Sequence, residues 1–264
     1  MSFKKLSSSI EKHRSNLCVG LDPLVEKIPE FLSEYENPIL EFNARIIEAT
    51  QDVVGAYKLN TAFYEVLGEK AWSTFGETIA RIRDDVYVIA DCKRSDIGNS
   101  AKHYAETFFD YFEVDAVTVN PYMGHDSVEP FLNYRDKDVF ALVLTSNEGA
   151  RDFQLQESGG RKFYEIVLEK ISQWNTGKNM GAVVGATKVE QLTHIRSCYP
   201  QIPLLIPGVG AQGGSIESVA EVAGTAGAPI IVNVARDIIF AGHDEKFADR
   251  AREKAFYYNV LLRR

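Results

Sequence analysis

VIADCKRSDIGNS, residues 88–100, is the stretch from which the rest of the chain can be read. Its first half is apolar and β-branched, which predicts a buried strand. Asp91, Lys93 and Asp96 follow, with Arg94 beside them. Side chains on a strand alternate with a period of two, so Asp91 and Lys93 are expected on one face. Asp96 is expected beyond the strand end, in a loop closed by Gly98. Two opposite unit charges about 4 Å apart attract by roughly 4 kcal/mol at an effective dielectric of 20. Taking each out of water costs several kcal/mol. An acid and a base at the C-terminal end of a buried strand therefore form either an ion pair tying that strand to its neighbour or a functional site.

Outward from this stretch the same pattern recurs. Short apolar runs, each followed by a turn signal and a helical segment, lie at 16–22, 54–60, 86–93, 116–122, 139–147, 181–187, 203–210 and 229–236. Helical periodicity marks 37–51, 100–112, 161–174, 188–199, 214–224 and the final 244–264. Eight β-then-α units in one chain of 264 residues predict a single-domain (β/α)8 barrel spanning residues 1–264. A doubly wound open sheet competes, but it usually carries a glycine-rich dinucleotide turn after its first strand, and here that strand ends in Asp22-Pro23.

In such a barrel the C-terminal strand ends form the active face. Polar residues collect there: Asp22; Lys58 and Asn60; Asp91, Lys93 and Asp96; Asn120; Thr145, Ser146 and Asn147; Thr187; the glycine-rich 208–214; and Arg236. Lys58 sits inside an apolar strand, where an ammonium needs partners. Pairing with Asp91 gives a row of alternating sign, Lys58–Asp91–Lys93–Asp96. PGVGAQGGS (207–215) joins a strand to a helix, and with Arg236 it predicts a grip on a phosphomonoester, with Gln212 reaching over the site. TSNEGARDFQLQESGGRKF (145–163) is long enough for a lid.

Bulk composition limits the alternatives. The chain is 45% hydrophobic and 25% charged with a net charge of −8, which argues against a general nucleic-acid or membrane surface. No run reaches the length of a membrane span, and MSFKKLSSSIEKHRSN lacks an apolar signal core. Cys18, Cys92 and Cys198 form no metal or redox spacing and suit a reducing cytoplasm; the first two are expected to be buried. The five histidines, at 13, 103, 125, 194 and 243, are scattered, so neither a metal site nor a histidine base is expected, and His125 is expected at a helix start on the surface.

Taken together, GLDP, AYKLN, DCKRSDIGNS, TSNEGARDFQ, PGVGAQGG and NVARDII resemble orotidine 5′-phosphate decarboxylases, in particular their longer bacterial branch. The likeness runs in order through nearly the whole chain. It implies a homodimeric barrel with no cofactor and no metal that converts orotidine monophosphate to uridine monophosphate. Lys58, Asp91 and Lys93 match three members of the charged row. Asp96 matches the fourth, which in the family reaches into the partner's site. Asp22 matches the residue near the ribose and Ser146 the one reading the pyrimidine. Gln212, with Gly213 beside it, and Arg236 match the phosphate grip. Ser95 stands where this branch often has glycine. Ser100 stands where the family usually has threonine, and keeps the hydroxyl for a ribose contact across the interface.

Three other readings stay open on residues alone. A metal-dependent sugar-phosphate barrel would want a carboxylate where Lys58 stands. A Schiff-base aldolase would need an unprotonated lysine. A non-catalytic barrel would tolerate losing a charge from the row.

Overall fold

Eight parallel strands close on themselves in the computed structural model, which describes residues 3–210 and 213–263. They are β1 Leu17–Gly20, β2 Ala56–Asn60, β3 Tyr87–Arg94, β4 Ala116–Val119, β5 Asp138–Leu144, β6 Met180–Val184, β7 Leu204–Pro207 and β8 Ile230–Val234. Each pairs with its neighbours in sequence, and β8 pairs with β1 to complete the ring. All eight fall inside the runs expected from sequence, give or take one residue at each end.

Alternate strand residues divide between two apolar clusters, as a period of two requires. Leu17, Tyr57, Val88, Val117, Val139 and Val232 face outward to the helices. Cys18, Ala56, Tyr87, Ile89, Phe140 and Ile231 fill the inside. Lys58, Asp91, Thr118 and Asn233 lie on the inward set, above that plug of side chains. Cys18 and Cys92 are buried, and burial pushes the Cys92 thiol up to about 12, so both act as small hydrophobes.

The N-terminal segment holds a helix that its polar composition hid. Helix α1, Lys4–His13, crosses the end of the barrel opposite the strand C-termini. Phe3 and Leu6 are buried against the interior cluster, and Phe3 packs edge-on to Phe140 at 5.3 Å. The stripe Phe3, Leu6, Ile10 was the available signal. Asp138 fixes the start of this helix: its Oδ1 accepts from the Phe3 N–H at 2.9 Å and its Oδ2 from the Tyr87 hydroxyl at 2.7 Å.

Burial raises the Asp138 carboxyl to about 6, with the two hydrogen bonds only partly offsetting it. The folded state then holds this proton more tightly than the unfolded chain does. Stability from the neutral form is complete below about pH 4 and is lost as pH rises through 6, a swing of roughly 3 kcal/mol. Asp138→Asn, which keeps an acceptor for Phe3, is expected to match the wild type near pH 4 and exceed it by up to about 3 kcal/mol at pH 7. Denaturant melts across pH 4–8 check this; an unchanged pH profile would count against it.

Helices fill the outside, among them α2 Pro38–Thr50, α3 Ala71–Ile79, α4 Gly98–Glu106, α5 His125–Leu132, α6 Phe163–Trp174, α7 Val189–Cys198, α8 Ile216–Ala223 and α9 Phe247–Leu262. His125 is exposed at the first position of α5, as expected. The polar connection after β5 is more ordered than its composition suggested. Strands Glu157–Ser158 and Arg161–Lys162 form a hairpin on Gly159 and Gly160, both at positive φ as a two-residue turn requires. Gln154 folds back to bond the Thr145 backbone N–H at 2.7 Å, tethering this segment to the end of β5.

Candidate active site

A cavity of about 400 Å³ opens at the C-terminal ends of the strands. Among its lining residues are Asp22, Lys58, Asn60, Asp91, Lys93, Ser146 and Arg236, drawn from five different strand ends. That convergence is what a barrel with a site at this rim produces.

At the centre is Asp91, 9% exposed and bonded on both oxygens. Its Oδ2 accepts from the Lys58 ammonium at 2.8 Å and its Oδ1 from the Lys93 ammonium at 2.6 Å. Burial pushes the Asp91 carboxyl up, but the two ammonium charges outweigh it and hold the group well below the usual carboxylate range. Lys58 is 3% exposed. Burial works against its charge, yet Asp22 and Asp91 together raise its ammonium above the ordinary lysine value. Asp22 Oδ1 lies 3.8 Å from Lys58 Nζ and accepts from the Asn60 backbone N–H at 3.2 Å. Burial raises the Asp22 carboxyl, and Lys58 only partly corrects this. A lysine so firmly protonated is a poor amine nucleophile, which removes the support for a Schiff base at Lys58.

The row within one chain is therefore Asp22–Lys58–Asp91–Lys93. Asp96 does not join the row from its own chain. Its Oδ1 accepts from the next backbone N–H, that of Ile97, at 2.8 Å, and it does not line the cavity. Ser100 is exposed on the first turn of α4 and also lies outside the cavity. Gln212 falls outside the described residues. Gly213 has φ +85° and does not line the cavity, whereas Gly208 and Val209 of the same turn do. Arg236 lines the cavity just past β8. Ser146 reaches the cavity because Gly185, at the end of β6, leaves room: a Cβ there would lie 2.7 Å from the Ser146 backbone nitrogen. Arg94 turns away, pairing with Glu65 and stacking over Tyr104.

The expectation that simple alternation aligns Asp91 with Lys93 needs a correction. Lys93 has φ +47°, the left-handed region. The β3–β4 register jumps from Ala90 opposite Val117 to Arg94 opposite Val119, so β3 carries a bulge there. The bulge, not the pleat, sends the Lys93 side chain back over Asp91.

Thr118 and Asn233 were not singled out from sequence. Thr118 is 1% exposed; its hydroxyl donates to Asp91 Oδ1 at 2.8 Å and accepts from the Lys93 backbone N–H at 2.9 Å. Asn233 lines the cavity with a buried Oδ1 that has no hydrogen-bond partner. Both are single polar residues inside otherwise apolar runs, a signal of the kind that drew attention to Lys58. Leu142, Val183 and Leu205 give the cavity an apolar floor, where charges act with less screening than in water. Among the described residues, no group of three or more His, Cys, Asp or Glu side chains could hold a metal ion.

Comparison with known proteins agrees with this fold. The profile described as the orotidine 5′-phosphate decarboxylase / HUMPS family matches residues 15–251. Orotidine 5′-phosphate decarboxylases of Flavobacterium johnsoniae and Parabacteroides distasonis are 47% and 48% identical to the chain. Each match covers 97% of this chain, and 94% and 92% of those relatives. The solved structure of Leishmania donovani OMP decarboxylase superposes with a TM-score of 0.84 at 34% identity, covering 99% of both chains.

Proposed function

Because the chain belongs to the orotidine 5′-phosphate decarboxylase / HUMPS family and is a carbon–carbon lyase of pyrimidine biosynthesis, we propose that Lys93 stabilises and then protonates the ring carbon as orotidine monophosphate becomes uridine monophosphate. The observation that carries this reading is the Lys93 ammonium, held 2.6 Å from Asp91 yet 45% exposed at the cavity rim. It is charged, aimed and within reach of a ligand.

The chemistry follows from the residue types. The bond from the ring carbon to the carboxylate breaks, and its electron pair stays on a carbon with no adjacent carbonyl to accept it. The Lys93 ammonium lies against that developing negative charge and transfers a proton to it; solvent then reprotonates the lysine. Asp91 faces the substrate carboxylate, and their repulsion is relieved as carbon dioxide departs. Lys58 holds Asp91 ionised from below. Asp22 binds the ribose, Ser146 reads the pyrimidine, and Arg236 with Gln212 and Gly213 grips the phosphate. That grip is far from the bond broken, so its binding energy serves to close the loop after β5 and order the site. No cofactor takes part. The test is the fall in orotidine-monophosphate absorbance with purified, chelator-treated protein; unchanged absorbance would defeat the reading.

The enzyme works as a cytoplasmic homodimer in which Asp96 and Ser100 complete the partner's site. Two observations favour this: both residues stand outside their own chain's cavity, and no helix among the described residues is long and apolar enough to cross a membrane. Lys93→Ala and Asp96→Ala are each expected to be nearly inactive. Mixed in equal amounts and allowed to exchange subunits, they regain about a quarter of wild-type activity, since half the dimers are mixed and each mixed dimer has one intact site. No recovery on mixing would mean that Asp96 acts in its own subunit.

A further inference from the structure

We infer that Thr118 is a positioning residue for the reaction: its hydroxyl locks the backbone of Lys93 and the carboxylate of Asp91 into one rigid unit. The inference rests on the role proposed above for Lys93.

The bulge in β3 creates a specific problem. In the ladder the odd-numbered residues of β3 bond on the β2 side, as in the Tyr87 N–H to the Gly55 carbonyl and the Asp91 carbonyl to the Thr61 N–H, so regular alternation would turn the Lys93 N–H away from β4. With two extra residues on β3 between Ala90 and Arg94, the Lys93 N–H leaves that alternation and turns toward β4. Thr118 supplies the acceptor there from its side chain, accepting from Lys93 N at 2.9 Å. Its own carbonyl accepts from the Cys92 thiol at 3.4 Å, so one residue of β4 supports two consecutive residues of the bulge. Just beyond, the ladder resumes with the Asn120 N–H donating to the Arg94 carbonyl at 2.9 Å.

A lysine in the left-handed region is held there only by its surroundings. The second half of the same hydroxyl's bonding fixes what the lysine is aimed at. It donates to Asp91 Oδ1, the oxygen that also accepts from Lys93 Nζ. Thr118 thus closes a small ring: its hydroxyl, the Lys93 backbone, the Lys93 side chain and Asp91. The hydroxyl is both donor and acceptor here, a capacity that neither valine nor alanine has. Thr118 is buried and does not line the cavity, so it acts through its two neighbours and not on substrate.

A residue that merely filled space would be replaced well by valine, its isostere, and poorly by serine. A residue that works through its hydroxyl shows the reverse. Thr118→Val is expected to lower kcat about 10- to 100-fold, equivalent to about 1.4 to 2.7 kcal/mol of transition-state stabilisation. KM and the affinity for uridine monophosphate are expected to stay within about threefold of wild type, because the nucleotide grip is elsewhere. Thr118→Ser is expected to recover most of the rate. If the valine protein fails to fold, Thr118→Ala, which cannot overpack, carries the same expectation for kcat. Near-wild-type kcat in the variant lacking the hydroxyl, or a serine variant as impaired as that variant, overturns the inference. A wild-type protein with no decarboxylase activity would instead overturn the functional reading, so the two failures are distinguishable.

Discussion

Lys93→Ala is expected to lower kcat for orotidine-monophosphate decarboxylation by at least about 10⁴-fold, combining a lost electrostatic partner for the ring carbon with a lost proton donor. The fold is expected to survive, because the ammonium is half exposed and Asp91 keeps its bonds to Lys58 and Thr118. Substrate affinity should change far less than turnover, since Lys93 acts where charge develops and not where the phosphate is held. Stopped assays under excess substrate, with a thermal melt beside them, check both halves. Turnover near wild type would show that another group protonates the ring carbon.

Lys58→Met is expected to produce the largest loss of stability. Lys58 is enclosed between Asp22 and Asp91, and methionine fills its volume without its charge. Asp22 is then left without its nearest cation and Asp91 with Lys93 alone, a loss of about 3–5 kcal/mol, which lowers the melting temperature by roughly 10 °C. The pH dependence identifies the cause. In the wild type, the depressed Asp91 contributes stability above the unfolded carboxylate value and loses it only as pH falls through its own lower value. In the variant, Asp22 loses the cation that partly offset its burial and its carboxyl rises further, so stability declines more steeply as pH rises above about 4. The gap between the two proteins is therefore widest at neutral pH and narrows toward pH 4. A gap independent of pH would assign the loss to packing instead. Activity is expected to fall as well, because Asp91 loses one of the two charges that hold it ionised and aimed.

The barrel was legible because its signal is repetitive. Eight apolar runs with alternating helices leave few other arrangements, and each run contains or borders its observed strand. Helix α1 was missed for the opposite reason: three apolar residues among lysines and serines are a faint stripe until the barrel supplies a floor to pack against. At the site, Lys58, Asp91 and Lys93 stood out as charges in apolar strands. Asp22 was visible as a polar strand end, but its place next to Lys58 was not, since it depends on the register of the β1–β2 pairing. The bulge at Lys93 left no local mark such as glycine. Its register depends on Thr118 across the β4 pairing, a partner separated by 25 residues in sequence. Nonlocal hydrogen bonds of this kind are set by topology, and no window along the chain contains both ends.

The plug formed by Phe3, Leu6, Tyr87 and Phe140 has a kinetic consequence. With the barrel stoppered below, the site is a cul-de-sac, and a gas molecule released at its base has no rear exit. Carbon dioxide must leave by the doorway through which the nucleotide entered. The two products therefore share a single route of egress.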